Sequence, residues 1–318
     1  MRTTIRILVR ILAGLAVFAG VLGAIGYWLL WTPTPLEPNL SGSLVSQSLR
    51  LDGRERTYRV YTPARVKPGA PLVLVFHGRM GNPGAVRLET GYRFDELADQ
   101  HGFQVAYPQG IGGEFNGCRR SPPGSTPPDD VAFVRELVAR LNGGHPRPVY
   151  AAGVSNGGQM VYRLALEAPD LMTAGAVFVA SLPMEAETVC RPARRAVPML
   201  IVNGVDDPIN PYAGGMASLF GLKDLGEVRS SRATAAYFAG LFAPATPRTT
   251  RLAARKPGDP TSVERVSWNE RVVLMAVNGG GHVTPQPAYR PRRLLGRATS
   301  AIDGPAEAWA FFGREPLR

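Results

Sequence analysis

Six short stretches of this chain are apolar almost from end to end, and they restrict its fold more than any other feature. They are "PLVLVF" at 71–76, "FQVAY" at 103–107, "PVYAA" at 148–152, "AGAVFVA" at 174–180, "PMLIV" at 198–202 and "VVLMAV" at 272–277. A strand with one wet face alternates apolar and polar residues, so runs without alternation predict strands covered on both faces. Helical patterns separate them. Residues 94–100 form one, and Val131, Val134, Leu137, Val138 and Leu141 mark a clearer stripe. Asp129 and Asp130 precede that stripe and suit a helix cap. A last helical segment occupies 306–312, and an early strand at 57–61 follows the turn Asp52-Gly53. Alternating strands and helices imply the α/β class, with a mainly parallel, doubly wound sheet and helices on both faces. The stretch 212–269 is irregular and contains proline and arginine. It reads as loops above the sheet with one helix near 233–241. No internal repeat is visible.

The first ten residues carry Arg2, Arg6 and Arg10 and no acid, and residues 11–31 hold no charge. Twenty-one such residues are enough to cross a bilayer. Small residues at 23–26 offer a cleavage site, but "YWLLW" at 27–31 prolongs the apolar run, and Trp28 and Trp31 suit the membrane interface. An uncleaved anchor is therefore preferred over a cleaved signal peptide, with the N-terminus in the cytoplasm and the main domain outside. No cysteine follows the run, which argues against lipoprotein processing. The expected division is 1–31 for this segment, 32–40 for a linker with three prolines, and 41–318 for one catalytic domain. The net charge of +11 comes from scattered arginines, and no nucleic-acid motif accompanies it. The two cysteines, Cys118 and Cys190, pair if the domain is exported and otherwise remain buried thiols. No metal-ligand spacing is present.

"GVSNGG" at 153–158 lies between an apolar run and a helical pattern formed by Met160, Val161, Leu164 and Ala165. G-x-S-x-G alone is weak in a chain with 36 glycines. In the order strand, motif, helix it describes a nucleophile elbow, with Ser155 at a strained apex and glycines where backbones approach. A serine hydroxyl needs a base, and the base an acid that orients it. Of the four histidines, His77, His101 and His145 precede Ser155. Only His282 follows it, after the strand at 272–277 and the run Asn278-Gly279-Gly280-Gly281. The acid is expected after the strand at 198–202, where Asp206 and Asp207 are adjacent and locally equivalent. An oxyanion hole needs two aimed amides. Asn156 supplies one. The turn after the strand at 71–76 supplies the other, with Arg79 the first choice and Met80 the second.

Together these motifs resemble the LpqC/poly(3-hydroxybutyrate) depolymerase-like esterases, relatives of feruloyl and acetylxylan esterases in the α/β-hydrolase superfamily. The resemblance spans roughly residues 50–315 through "LDGRERTYRVYTP", "PLVLVFHGRMGN", "LADQHGFQVAYPQG", "DDVAFVRELV", "GVSNGGQMVYRLA", "PMLIVNGVDDPINPY" and "GGGHVTPQ". It implies a serine carboxylic-ester hydrolase that works through an acyl-enzyme and needs no cofactor. It selects Asp207, directly before Pro208, as the acid, and it favours pairing of Cys118 with Cys190. Two departures bear on substrate. Phe115-Asn116 stands where relatives often have Trp-Asn, and Val283-Thr284-Pro285 replaces a stretch that often holds tryptophan. The loop 112–128 is expected at the mouth of the site, with Phe115, Arg119 and Arg120 as candidate substrate contacts. The expected partner is a small or oligomeric ester. A non-catalytic binding protein and a serine peptidase of the same fold are the rival readings.

Overall fold

The computed structural model describes residues 2–120 and 126–313. Residues 121–125, in the expected mouth loop, lie outside the described residues, as do 314–318. In chain order the regular elements begin with α1 (Arg2–Leu30), β1 (Ser43–Leu51), β2 (Arg54–Thr62), β3 (Leu72–Phe76), α2 (Pro83–Glu89) and α3 (Arg93–His101). They continue with β4 (Gln104–Pro108), α4 (Asp130–Asn142), β5 (Val149–Val154), α5 (Asn156–Glu167), β6 (Ala174–Phe178) and β7 (Met199–Gly204). Then come β8 (Gly215–Ser218), β9 (Asp224–Val228), α6 (Ser231–Ala239), β10 (Arg248–Ala253), β11 (Ser262–Trp268), β12 (Val272–Asn278) and α7 (Gly304–Phe312).

Ten strands form one sheet in the order β1-β2-β4-β3-β5-β6-β7-β12-β11-β10. The six strands from β4 to β12 pair in parallel. These are the six apolar runs of the sequence. Their residues alternate between two cores. Leu72, Leu74 and Phe76 pack with α4, α5 and α6, whereas Val73 and Val75 pack with α2, α3 and α7. Both faces are thus covered by helices, which is why these strands carry no polar alternation. This is the α/β-hydrolase fold.

The flanks differ from expectation. Residues 212–269 are not loops around one helix. Besides α6 they contain the β8–β9 hairpin and two strands, β10 and β11, that extend the sheet antiparallel beyond β12. β10 reads "RTTRLA" and is exposed on nearly every residue, so it carries no apolar signal. β1 at the other edge escapes notice for the same reason. Edge strands are often polar because their outer side meets water.

The crossover from β3 leads through α2 and α3 to β4, and the crossover from β5 leads through α5 to β6 on the opposite face. Adjacent strands whose connections depart to opposite faces leave a crevice at their carboxyl ends, where ligands bind. The turn after β3 and Ser155 after β5 both border it.

Candidate active site

Ser155 joins β5 to α5 with φ 54° and ψ −114°. A non-glycine residue held there costs about 1–3 kcal/mol, which the surrounding packing must offset. The flanking glycines show why the turn is possible. A Cβ on Gly153 would lie 2.2 Å from the Gly157 carbonyl oxygen, and one on Gly157 would lie 2.2 Å from the Phe76 carbonyl oxygen. The Ser155 amide donates to the Phe178 carbonyl at 2.9 Å, which ties the elbow to β6. Asn156 opens α5, so its amide is among the four that an α-helix leaves without an internal acceptor.

The turn after β3 lies over this elbow. A Cβ on Gly78 would sit 3.6 Å from that of Ser155. His77 braces the turn and is fully buried. Its Nδ1 lies 2.7 Å from the Gly78 carbonyl, which can only accept, so Nδ1 carries the proton. Its Nε2 then accepts from the Gly110 amide at 3.0 Å. Burial lowers the His77 pKa and keeps the ring neutral, as this tautomer requires. The Arg79 side chain forms an ion pair with Glu114 at 2.5 Å, and both residues line the crevice.

His282 and Asp207 meet at the ends of β12 and β7. His282 Nδ1 and Asp207 Oδ2 are 2.8 Å apart. The other carboxylate oxygen, Oδ1, accepts from the Ile209 and Asn210 amides, each at 2.8 Å. The Asp207 side chain is fully buried, and that of His282 is 9% exposed. Asp206 instead faces solvent, and its amide donates to the Gly280 carbonyl at 2.9 Å. The two turns also touch directly, since a Cβ on Gly204 would fall 2.2 Å from the Gly281 carbonyl oxygen.

Ser155, Asn156, Arg79 and His282 line one cleft of about 1130 Å³, together with Phe115, Arg119 and Arg120. Phe115 is only 3% exposed. Its ring packs against Phe76 and His77, with centroids 5.2 and 4.6 Å away, so it forms part of the wall. Cys118 and Cys190 form a disulfide, with Cα atoms 5.0 Å apart. Arg119 is partly covered by the β8–β9 hairpin, and its Nη1 is buried without a hydrogen-bond partner. Burial, followed by the Arg79 charge, pushes its pKa down to about 10 against the pull of Glu187, so it stays charged at neutral pH. Arg120 is exposed at the mouth.

Asp130 and Glu89 have roles near the cleft that the sequence reading does not assign. Asp130, one of the two expected cap residues, does not cap α4; Asp129 does, accepting from the Ala132 amide at 2.9 Å. Asp130 is fully buried and ion-paired with Arg56 at 2.5 Å, and it accepts from the Asn116 amide at 2.6 Å. It therefore anchors the wall that contains Phe115. Glu89, at the end of α2, opens into the cleft. Crowding by protein atoms raises its pKa to about 7 despite the opposing charges of His282 and Arg292.

A strained serine elbow, a histidine–aspartate pair and a cleft at the carboxyl ends of parallel strands define a hydrolase of the α/β-hydrolase class. No protein-family model matches the chain. Over 302 residues it is 30% identical to the putative esterase NocK of Nocardia uniformis subsp. tsuyamanensis, covering 86% of each chain. It is 27% identical over 219 residues to feruloyl esterase B of Piromyces equi, covering 67% of this chain and 39% of that protein. An acetyl xylan esterase from Aspergillus awamori has the same fold, with a TM-score of 0.56 at 16% identity over 85% of this chain and 99% of that one. The chain belongs to the esterase family that includes NocK, and it is a carboxylic ester hydrolase.

Proposed function

We propose that Ser155, His282 and Asp207 are the catalytic triad of this esterase. The observation that supports it best is the buried Asp207 carboxylate. One oxygen binds His282 Nδ1 and the other accepts two amides. A carboxylate held this way keeps the proton on Nδ1 and leaves Nε2 as the base. Ser155 Oγ loses its proton to His282 as it attacks the ester carbonyl. The Asn156 and Arg79 amides receive the oxyanion. The tetrahedral intermediate then expels the alcohol, protonated by His282, and leaves Ser155 acylated. Water, deprotonated by His282, hydrolyses the acyl-enzyme and restores the serine. No cofactor takes part. Ser155→Ala is expected to lower kcat on a p-nitrophenyl ester by at least about a thousandfold, with the circular dichroism spectrum unchanged. A fluorophosphonate should label wild type at Ser155 alone. Near-normal turnover of the variant, or labelling elsewhere, refutes the assignment, whereas a wild type that neither turns over the ester nor takes the label favours the non-catalytic reading.

The acyl group is proposed to be a short hydroxyacyl or a hydroxycinnamoyl group, by resemblance to poly(3-hydroxybutyrate) depolymerase-like and feruloyl esterases. Arg119 and Arg120 are the proposed contacts for a carboxylate on such a substrate. The catalytic domain is proposed to lie outside the cytoplasmic membrane, anchored by α1. The disulfide supports an oxidising compartment, and residues 4–30 form a helix long and apolar enough to span a bilayer.

A further inference from the structure

The end of α1 and the mouth of the cleft meet on one loop, residues 289–297. Tyr289, Pro291, Arg292 and Leu295 of this loop line the cleft. Its backbone also holds the turn of the candidate base. The His282 amide donates to the Leu295 carbonyl at 2.7 Å and the Gly281 amide to the Arg297 carbonyl at 3.0 Å. The same loop grips α1. Arg293 Nη1 donates to the Trp28 carbonyl at 2.8 Å, and its guanidinium lies 4.7 Å from the centre of the Trp28 ring. The Thr32 hydroxyl donates to the Arg290 carbonyl at 2.5 Å. If α1 crosses a membrane, Trp28 and Trp31 lie at the headgroup level. The loop, and with it the cleft mouth, then lies there too.

The surface around the mouth fits that position. Arg290, Arg293 and Arg297 are exposed, and none pairs with an acid among the described residues. Exposed apolar side chains border the same cleft. Met80, 72% exposed, lines the mouth. Leu294 is exposed beside Leu295. Leu222, 89% exposed, is in the connection between β8 and β9, whose Phe220 and Lys223 line the cleft. Cations interspersed with apolar side chains next to an interfacial tryptophan are the composition that binds anionic lipid surfaces.

We infer that the cleft mouth rests on an anionic phospholipid surface and takes amphiphilic esters from it. Arg290, Arg293 and Arg297 meet lipid phosphates, while Leu222, Leu294 and Met80 enter the interface. The inference depends on the esterase chemistry and on the α1 anchor proposed above. It differs from both in stating which face of the domain meets the lipid.

The test uses the full chain in vesicles of phosphatidylcholine, with or without phosphatidylglycerol. No free cysteine exists among the described residues, so a nitroxide can be placed on Leu222→Cys or Leu294→Cys. Val66→Cys is the control. It is exposed, and it lies between β2 and β3 at the end of the sheet away from the cleft. Labels at 222 and 294 are expected to be shielded several-fold from a water-soluble paramagnetic quencher relative to 66. In anionic vesicles, Arg290→Gln/Arg293→Gln/Arg297→Gln should lower hydrolysis of a bilayer-embedded long-chain ester several-fold at low salt and leave p-nitrophenyl acetate unchanged. Equal quenching at the three positions overturns the inference. So does shielding that vanishes at one chain per vesicle, which would indicate a second copy on this face. Equal embedded-ester rates for variant and wild type overturn it as well. Release of wild type by alkaline carbonate removes the anchor and the inference with it. Failure of wild type to cleave p-nitrophenyl acetate counts against the esterase chemistry instead.

Discussion

Asp207 and His282 are held largely by backbone, whereas residues 114–120 on another wall of the cleft are held largely by side chains. On the first side, amides of residues 209 and 210 fix the carboxylate, and amide–carbonyl bonds at 205–206 and 281–282 fix the turns. On the second, Asn156 clamps Phe115 through both its amide atoms, at 2.7 and 3.0 Å. Asp130 holds the Asn116 amide, and Arg163 donates to the Asn116 carbonyl at 2.8 Å. The disulfide and the bonds between 118–120 and 187–189 complete the wall. Backbone bonds survive changes in the side chains that make them, but side-chain bonds do not. The proposed chemistry is thus tied to the fold, while the wall can be rebuilt for a new substrate by a few substitutions.

The sharpest test of that contrast lies on the backbone-held side. Asp207→Asn keeps the shape but removes the charge that, in the proposed triad, stabilises the imidazolium. It should lower kcat by about a hundredfold to ten-thousandfold, whereas Asp206→Asn, on an exposed side chain, should stay within about threefold. Comparable losses from the two would show that the acid of the site has been misassigned. On the other wall, Cys118→Ser/Cys190→Ser opens a loop with a sequence separation of 72. The chain-entropy model assigns about 4 kcal/mol to such a loop. A denaturation midpoint that falls while kcat on p-nitrophenyl acetate holds within about threefold would separate wall from chemistry. A kcat that collapses in step with stability would join them.

The same contrast explains what could be read in the sequence. The six parallel strands stand out because burial on both faces removed their polar alternation. The elbow stands out because Gly153 and Gly157 have no room for a Cβ. His282 emerges by elimination from four histidines. Asp206 and Asp207 are locally equivalent in the sequence, and the family resemblance prefers Asp207. In the structure Asp207 alone of the two accepts the amides of residues 209 and 210, a feature that no local pattern announces. Asp130 was out of reach, because its partners Arg56 and Asn116 come from distant parts of the chain. β10 carries no apolar pattern because it is exposed, and β11 interrupts its buried valines with Glu264 and Arg265. The β8–β9 hairpin, which covers Arg119 and lines the cleft, is short and mostly unburied, so it is the least legible part of the site.

Smaller effects are expected at the mouth. Arg119→Ala/Arg120→Ala should raise KM for a hydroxybutyrate dimer or trimer several-fold and leave a neutral short-chain ester unchanged, since only the former presents a carboxylate to the guanidinium groups. The share due to Arg119 depends on access, because its Nη1 is buried against the Gly226 region of the hairpin. Single variants separate the two, with exposed Arg120 expected to account for more of the change. Parallel losses on both esters would mean that the arginines only support the wall.

Glu89 gives the smallest effect, and it crosses the division. It belongs to α2, on the cleft wall, yet its charge acts on His282. Its carboxyl is raised to about 7 by crowding, so its charge grows as pH rises through that range. An anion in the cleft repels an anionic ester and leaves a neutral one alone. As pH rises through 7, kcat/KM for an anionic ester should therefore fall relative to that for a neutral one. Glu89→Gln removes that charge. The ratio should then change less across this range, by about twofold or less, because the group opens to solvent. Added salt should shrink the difference between variant and wild type, since the charges interact through a wet cleft. A ratio with the same pH dependence in variant and wild type would leave Glu89 without a charge that the substrate meets, and the division between chemistry and wall would then be complete.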